Sequence, residues 1–335
     1  MSEPIPLLPL VLSMGDPAGV GPMITAAAWG ALKDDPSLAF YVIGAPALYR
    51  ERCAVQAISS PEEAVATFGT ALPVLSVGDL PAITPGKPDP SVAPAIVSAI
   101  ETGVAHVRAG KAAGLVTNPI NKALLYGAGF RHPGHTEFVA ELCRPEGGEP
   151  LRPVMMLTGG GLRVALATIH QSLASVPGSL THENLVELGT IVHAALKTDF
   201  GIEKPRIAFT GLNPHAGEAG AIGREEIEII NPAAATLRSR NIDISDARPG
   251  DTVFAEALSG AYDAVIAMTH DQGLIPVKTL DFWGGVNMTL GLPIVRTSPD
   301  HGTGYDAAAA GTARPDSLIA AIRSAAMVAR NRIGK

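Results

Sequence analysis

Three histidines follow three short runs of β-forming residues. His170 comes after RVALATI, His215 after RIAFTGLNP and His270 after DAVIAMT. Each run predicts a strand, so each histidine falls at a strand's carboxyl end, where α/β proteins place their chemistry. Neutral imidazoles are common ligands of zinc and its neighbours, and three of them leave coordination positions open for a substrate. The residues therefore indicate a metal site, with hydrogen-bonded packing histidines as the structural alternative.

Two further segments carry groups that could bind an anion. His135 and Thr136 stand at the start of a predicted helix, whose unpaired N–H groups favour a phosphate or a carboxylate. The alternative is a plain N-terminal cap by Thr136. Lys278, Asn287 and Arg296 lie in one apolar stretch, where an unpaired cation is costly to bury. Buried acidic partners could satisfy these groups, but in a chain of net charge -7 their clustering favours a phosphorylated substrate.

A glycine-rich loop, GDPAGVGP, follows the first predicted strand and contains Gly15, Gly19 and Gly21. It suits a tight strand-to-helix turn or the approach of backbone to an anion. Its spacing is not G-x-G-x-x-G, and Gly110-Lys111 is not part of a Walker loop. By itself the loop therefore predicts no standard nucleotide site.

The elements that must position these residues alternate along the chain between short β-rich runs and longer helical stretches. Such alternation predicts an α/β fold with a largely parallel sheet covered by helices. The expected strands cover 8–13, 40–43, 73–77, 114–116, 154–157, 163–168, 206–210, 264–268 and 294–297. The expected helices cover 23–32, 90–108, 136–142, 182–197, 224–240 and 317–330. A length of 335 residues without an obvious linker predicts two interleaved lobes.

Composition narrows the function classes. A net charge of -7 without a basic stripe argues against nucleic acid as a partner. No apolar run reaches about 18 residues, so no membrane span is expected. Two cysteines, Cys53 and Cys143, cannot build a disulfide framework, and no signal peptide is recognised at the N-terminus. These features predict a cytoplasmic enzyme.

Motifs spread over nearly the whole chain resemble one enzyme family. MGDPAGVGP, TNPINK, PGHTEF, LATIH, GLNPHAGE, HDQGLIPVKTLDF, GVNMTLGLP and RTSPDHGT occur in that order between residue 14 and about residue 312. Together they resemble the 4-hydroxythreonine-4-phosphate dehydrogenases of pyridoxal phosphate biosynthesis. The resemblance implies a fold like that of isocitrate and isopropylmalate dehydrogenases, with two α/β/α lobes and a cleft between them, in a homodimer. We expect 1–130 with 286–335 to form the cofactor-side lobe and 131–285 the metal- and dimer-side lobe.

The resemblance also implies roles for individual residues. His170, His215 and His270 would ligate one divalent metal (zinc, magnesium, cobalt or manganese), with one histidine coming from the partner subunit. The substrate would be bound by His135, Thr136, Lys278, Asn287 and Arg296. The loop DHGTGYD resembles the nicotinamide-dinucleotide loop of isopropylmalate dehydrogenases, which places His301, Gly302, Thr303 and Asp306 near NAD or NADP.

Asp271 and Lys278 are the candidate catalytic residues. Asp271 follows His270 directly, so it is expected to orient that imidazole, and a role as general base is the alternative.

The reaction implied by the resemblance is NAD(P)-dependent oxidation of 4-phosphooxy-L-threonine to 2-amino-3-oxo-4-phosphooxybutanoate. That product decarboxylates to 3-amino-2-oxopropyl phosphate. The first alternative is a paralogous dehydrogenase of another four-carbon phosphorylated acid, such as 4-phospho-D-threonate. More remote alternatives are a zinc hydrolase that uses a bound hydroxide, and a non-catalytic binding protein for a phosphorylated metabolite.

Overall fold

The structure is a computed structural model that describes residues 8–127, 129–132 and 134–334. The chain divides into two compact units. One comprises the residues up to Pro153 together with Leu292–Arg330, and the other comprises Val154–Gly291 together with the residues from Asn331. The sequence predicts boundaries at 130 and 286, and this contact-based division falls further along the chain at both places.

Among the residues that the structure describes, the first unit contains six strands, which pair with one another in parallel. They are β1 (Leu10–Ser13), β2 (Phe40–Gly44), β3 (Val55–Ile58), β4 (Leu72–Ser76), β5 (Leu115–Thr117) and β12 (Arg296–Pro299). Their order is β3-β4-β2-β1-β5-β12. All residues of β1, β2 and β5 are buried, as expected of parallel strands that are covered on both faces.

Helices follow most of these strands. They are α1 (Gly21–Leu32), α2 (Ala64–Phe68), α3 (Ala93–Arg108), α4 (Lys122–Gly127), α5 (His135–Cys143), α11 (Tyr305–Ala310) and α12 (Asp316–Ile333). α1 begins with proline in its first turn, where the missing N–H costs no hydrogen bond. In α3, one face carries small and branched apolar residues, and Gly103 lets the helix approach Leu115 of β5.

The second unit contains the other six strands. They are β6 (Val154–Gly159), β7 (Leu162–Leu166), β8 (Arg206–Phe209), β9 (Asp243–Ile244), β10 (Ala264–Ala267) and β11 (Val286–Leu290). Their order is β11-β6-β7-β10-β8-β9. β6 pairs antiparallel with both β11 and β7, and the remaining pairs are parallel. Because β6 and β11 are partners, both belong to this unit, which explains where its boundaries fall.

The helices of the second unit are α6 (Val176–Ser179), α7 (His182–Thr198), α8 (Asn231–Ser239), α9 (Val253–Leu258) and α10 (His270–Leu280). A π-helical turn over Glu226–Ile230 precedes α8. In the part of the chain that the structure describes, no helix is long and apolar enough to span a membrane.

The fold is mixed α/β, as the sequence predicts, but three strands and several helices differ from the expectation. The expected ranges contain no counterpart of the strands β3, β9 and β11 or of the helices α2, α4, α6, α9, α10 and α11. Gly273 and Pro276, both poor helix formers, lie inside α10 and weaken its local helical signal. Gly273 is needed here because a Cβ at this position would lie 2.5 Å from Leu166 Cδ2 of β7. Packing against the sheet therefore outweighs local propensity.

Candidate functional site

The three histidines follow three neighbouring strands of the second unit. β7, β10 and β8 are adjacent and parallel, so their carboxyl ends lie at one edge of the sheet. His170 comes shortly after β7, His215 comes after β8, and His270 is the first residue of α10 after β10. The strand-end placement predicted from the sequence is therefore present, with a helix instead of a loop after β10.

His170 and His270 line one cavity of about 380 Å³, and their ring centroids are 5.5 Å apart. The walls are mixed, because Gln171 and Ser172 supply polar groups and Leu173 supplies an apolar side chain. The remaining lining residues are Thr168, Ile169, Val176, Thr269 and Asp271. Two imidazoles at this separation suit a shared divalent cation, since zinc–nitrogen bonds are about 2.0–2.1 Å long.

Asp271 contacts the neighbouring imidazole. Its Oδ1 lies 2.8 Å from Nδ1 of His270. Metal-binding histidines commonly donate one ring N–H to a carboxylate in this way, which fixes the tautomer and leaves the other nitrogen to ligate. The Asp271 side chain is 80% exposed, whereas that of His270 is 29% exposed. The contact suits an orienting role for Asp271.

His215 lies on an unusual turn. Residues His215–Ala219 have left-handed φ values between 42° and 79° within the 3₁₀ segment Pro214–Gly220. Four of these five residues are not glycine, and left-handed backbone costs such residues about 1–2 kcal/mol each. His215 is exposed at the start of this turn. Strained backbone that the surrounding structure maintains is often found at functional sites.

The described residues of one chain bring together only part of the predicted metal site. His170 and His270 share a cavity, but no group of three His, Cys, Asp or Glu side chains in the described ranges could hold a metal ion. The imidazole pair, with one ring oriented by a carboxylate, nevertheless has the donor chemistry that zinc and similar metals prefer.

A cluster of polar and charged side chains in the first unit surrounds Arg296. Arg296, on β12, is buried, and its guanidinium donates to Thr117 Oγ1 at 2.8 Å and to Thr136 Oγ1 at 3.4 Å. Burial lowers the pKa of Arg296 to about 10, partly offset by Glu137, so the side chain remains charged at neutral pH. A buried cation beside the first turn of α5 is well suited to a phosphate.

His135 and Lys122 belong to the same cluster. Burial and the charges of Arg296 and Lys122 lower the pKa of His135 well below its ordinary value of 6.5. Its Nε2 is buried and has no hydrogen-bond partner among the described residues. A Cβ on Gly134 would lie 3.3 Å from Lys122 Nζ, which places that ammonium at the start of α5. A buried ring nitrogen without a partner, close to two cations, suits an anionic ligand.

Lys122 was not among the predicted site residues, although it ends the motif TNPINK. Lys278 and Asn287, by contrast, were predicted and lie in the second unit, on α10 and β11. Lys278 Nζ lies 5.6 Å from the ring centroid of Phe282. Asn287 Oδ1 is buried without a hydrogen-bond partner in the described part of the chain.

Three predicted cofactor residues, His301, Gly302 and Thr303, lie on a loop that packs against the glycine-rich loop of the first unit, and Asp306 lies in the first turn of α11. Val20 N donates to Thr303 O at 2.9 Å, and a Cβ on Gly19 would lie 2.6 Å from that same oxygen. Gly19 therefore permits close approach of the two loops. His301, Gly302 and Asp306 are exposed, and Thr303 is half-buried.

A buried carboxylate ties these loops together. Tyr305 OH donates to Asp16 Oδ2 at 2.5 Å and accepts from Asn121 Nδ2 at 2.9 Å. Asp16 Oδ1 also accepts from Ala18 N at 2.9 Å. Burial and Asp16 raise the pKa of Tyr305 to about 12, so the phenol stays protonated. Asp16, Asn121 and Tyr305 were not among the predicted site residues, although all three lie in the motifs MGDPAGVGP, TNPINK and DHGTGYD.

Known proteins resemble this chain along nearly its whole length. A family model described as pyridoxal phosphate biosynthetic protein PdxA matches residues 37–325. A 4-hydroxythreonine-4-phosphate dehydrogenase of Caulobacter vibrioides is 54% identical over 328 residues, covering 97% of this chain and 98% of that protein. One of Maricaulis maris is 51% identical over 339 residues, covering 97% and 99%.

The solved structures agree with this comparison. The crystal structure of 4-hydroxythreonine-4-phosphate dehydrogenase from Klebsiella pneumoniae matches with a TM-score of 0.83 at 34% sequence identity. The match covers 96% of this chain and 99% of that chain. Sequence and fold therefore point to the same set of relatives.

Proposed function

The chain belongs to the PdxA family of pyridoxal phosphate biosynthetic proteins, and from that membership we propose that it oxidises 4-phosphooxy-L-threonine with NAD or NADP. The product, 2-amino-3-oxo-4-phosphooxybutanoate, decarboxylates to 3-amino-2-oxopropyl phosphate. The observation that carries the proposal is the cavity shared by His170 and His270, in a chain 54% identical to a relative with that name.

His170, His215 and His270 are the proposed ligands of one divalent metal, such as zinc, magnesium, cobalt or manganese. When bound, the metal supplies Lewis acidity that lowers the pKa of the substrate hydroxyl. The oxidation requires that the hydroxyl lose its proton as its carbon loses a hydride to the nicotinamide. Asp271 holds Nδ1 of His270, which supports an orienting role for Asp271 over that of general base.

The substrate phosphate is assigned to Arg296, His135 and Thr136, with Lys122 as an additional cation. Arg296 is fixed by two threonine hydroxyls, so little side-chain entropy remains to be lost on binding. Neutral His135 presents a buried Nε2 that can meet a phosphate oxygen. Binding energy from this remote group can position the reacting carbon. Lys278 and Asn287 remain proposed substrate-binding residues, and Lys278 a candidate catalytic residue.

The cofactor is assigned to the loop that carries His301, Gly302 and Thr303 and to Asp306 in the first turn of α11. Their exposure leaves backbone and side-chain groups accessible to a ligand. The glycine-rich loop beneath them supports their conformation through the contact between Val20 and Thr303.

A homodimer that shares its active sites is part of the proposal. Large apolar side chains are exposed on and after α10, including Ile275 at 63%, Phe282 at 62% and Trp283 at 50%. Exposed apolar residues that cluster along one segment are typical of a protein interface. A histidine from the partner subunit would supply the ligand that one chain does not bring to the cavity.

The test is an assay of reduced nicotinamide formation by metal-stripped and metal-restored protein. The substrates are 4-phosphooxy-L-threonine and 4-phospho-D-threonate, each with NAD and with NADP. We expect activity with the first substrate, its loss on chelation and its recovery with added divalent metal. His270→Ala should lower kcat/KM more than about 100-fold. Loss of a residue that only hydrogen-bonds a metal ligand typically costs about 10–100-fold, and this variant removes a proposed ligand itself.

His182→Gln is the matched control. His182 is the first residue of α7, lies outside the cavity, and its Nε2 is hydrogen-bonded to Thr236 of α8. Its activity should equal that of the wild type. Preference for 4-phospho-D-threonate would instead identify a paralogous dehydrogenase. Full activity after prolonged chelation would contradict the metal role, and absence of NAD(P) binding would favour a hydrolase or a non-catalytic binding protein.

A further inference from the structure

The turn that carries His215 is built around a buried carboxylate. Glu226 is only 2% exposed, although most glutamates lie at the surface. It belongs to the π-helical turn Glu226–Ile230, and such turns are frequent at functional sites. Nothing in the proposed chemistry uses this side chain, so its burial calls for a different explanation.

Both carboxylate oxygens of Glu226 engage the residue that precedes the turn. Oε1 accepts from Asn213 N at 2.8 Å, and Oε2 accepts from Asn213 Nδ2 at 3.0 Å. The Asn213 side chain also donates to Glu225 Oε2 at 2.7 Å. Hydrogen bonds to an ionised acceptor are stronger than those between neutral groups. Asn213 is therefore fixed in both backbone and side chain.

The same carboxylate lies against the middle of the left-handed turn. A Cβ on Gly217 would be 2.6 Å from Glu226 Oε2, and one on Gly211 would be 3.1 Å from Oε1. Glu226 thus lies against the backbone on both sides of His215, at Gly211 and Asn213 before it and at Gly217 after it. Its position leaves room for glycine alone at the centre of the turn.

We propose that Glu226 is a positioning residue that holds the left-handed turn His215–Ala219 and thereby orients the His215 imidazole. A strained turn relaxes unless surrounding contacts maintain it. The two bonds to Asn213 anchor its start, and the contact with Gly217 supports its middle. The bonds between Glu226 and Asn213 act on the backbone of this chain whether or not a metal binds. The link to metal binding rests on the proposed function of His215.

The test compares Glu226→Gln with Glu228→Gln in the metal-free protein. Both changes remove one carboxylate from the same π-helical turn, but Glu228 is exposed and pairs with Arg224 instead of Asn213. Hydrogen–deuterium exchange of the peptide covering 213–222 is the first measurement. We expect faster exchange in Glu226→Gln only. The glutamine NH₂ would replace one of the two oxygens that accept from Asn213 N and Nδ2, so one of these hydrogen bonds would be lost.

The second measurement is zinc affinity, determined by competition with a chromophoric chelator. We expect at least about tenfold weaker binding in Glu226→Gln and wild-type affinity in Glu228→Gln, as for other residues that support a ligand. If Glu226→Gln does not fold by circular dichroism, Asn213→Ala replaces it, since this variant loses the side-chain bonds and keeps the backbone N–H.

Wild-type exchange over 213–222 in Glu226→Gln would overturn the proposal. If Glu226→Gln exchanges faster but binds zinc like the wild type, while His215→Ala binds zinc more weakly, the proposal is also overturned. Glu226 would then hold the turn without positioning the His215 ligand. If His215→Ala itself binds zinc like the wild type, the metal role of His215 fails. The exchange comparison then still decides whether Glu226 holds the turn.

Discussion

At the scale of single residues, surroundings give two histidines different properties. His270 is partly exposed and meets a carboxylate at Nδ1, an arrangement that favours a defined tautomer. His135 is beside Arg296 and Lys122, and these charges together with burial hold its pKa low. A neutral His135 can present both a donor and an acceptor to a ligand. The same residue type is thus suited to a metal in one place and to an anion in the other.

The low pKa of His135 predicts a pH dependence of stability. Below the ordinary pKa of 6.5, the unfolded chain binds a proton that the folded protein does not bind. The free energy of unfolding should therefore fall as the pH drops from 6.5 toward the folded-state pKa, by up to about 1 kcal/mol per pH unit. Well above pH 6.5, His135 is neutral in both the folded and the unfolded state, so it adds no pH dependence to the free energy of unfolding.

His135→Asn removes the titrating group, so that part of the dependence should disappear. Urea unfolding of both proteins at about pH 7.5 and about pH 5.5 measures the difference. If the free energy of unfolding changes equally between the two pH values in wild type and variant, His135 titrates alike in the folded and unfolded states.

Gly217 predicts a second effect at residue scale. Gly217→Ala places a side chain at φ +79° and a Cβ 2.6 Å from Glu226 Oε2. We expect a loss of about 1–2 kcal/mol from the left-handed backbone and about 1–3 kcal/mol more from the overpacked contact. Gly260→Ala is the control, because Gly260 has φ +88° but no atom within 4 Å of an added Cβ. Chemical denaturation of both variants separates the two costs, and equal losses would argue that the contact with Glu226 is unimportant.

At the scale of elements, loops distant in sequence support one another. The Asp16 carboxylate is fully buried and accepts hydrogen bonds from Tyr305 and from the backbone of Ala18. This joins the glycine-rich loop after β1 to the start of α11. Because the proposed cofactor residues His301, Gly302, Thr303 and Asp306 flank Tyr305, the bond restricts the conformations of their segment.

Tyr305→Phe should weaken this connection. The loss leaves one oxygen of a buried carboxylate without its donor, which costs about 1–3 kcal/mol of stability. We also expect a several-fold higher Kd for NAD or NADP, measured by calorimetry, with little change in zinc affinity. Tyr262→Phe is the control, because Tyr262 packs against Ala208, Val253 and Val265 in the other unit. Unchanged cofactor affinity in Tyr305→Phe would separate this loop from cofactor binding.

At the scale of the whole molecule, each unit holds a distinct set of candidate groups. The first unit contains the proposed phosphate-binding cluster around Arg296 and the proposed cofactor residues, and the second contains the three histidines. Within one described chain, His170 and His270 share a cavity, and His215 is not gathered with them into a three-ligand group. This arrangement suits a site that a second copy of the chain completes.

Mixing inactive subunits tests the shared site. His170→Ala and His215→Ala should each be inactive as homodimers. If the two histidines of one site come from different subunits, half of the sites in each hybrid dimer are intact, and an equal mixture should recover about a quarter of wild-type activity. Subunits are exchanged under mild denaturation, and reduced nicotinamide is measured. Lack of recovery, with hybrid dimers shown to be present, would place both ligands in one chain.

Sequence patterns predicted the regular elements well where the local signal and the tertiary packing agree. The expected strand 206–210 appears as β8, and the expected helix 182–197 appears as α7. The sequence pattern did not predict the helix α10, because Gly273 and Pro276 within it disfavour a helix locally. It also failed for β11, which depends on antiparallel pairing with β6, a partner more than a hundred residues away.

The sequence by itself determined the α/β class, the family and the strand-end position of the three histidines, because these follow from local periodicity and from motifs along the chain. Only the tertiary structure placed Lys122 and Arg296 beside His135, joined Asp16 to Tyr305 across 289 positions, and set Glu226 under a left-handed turn. Such arrangements depend on which distant groups meet when the chain packs, and no local preference encodes that.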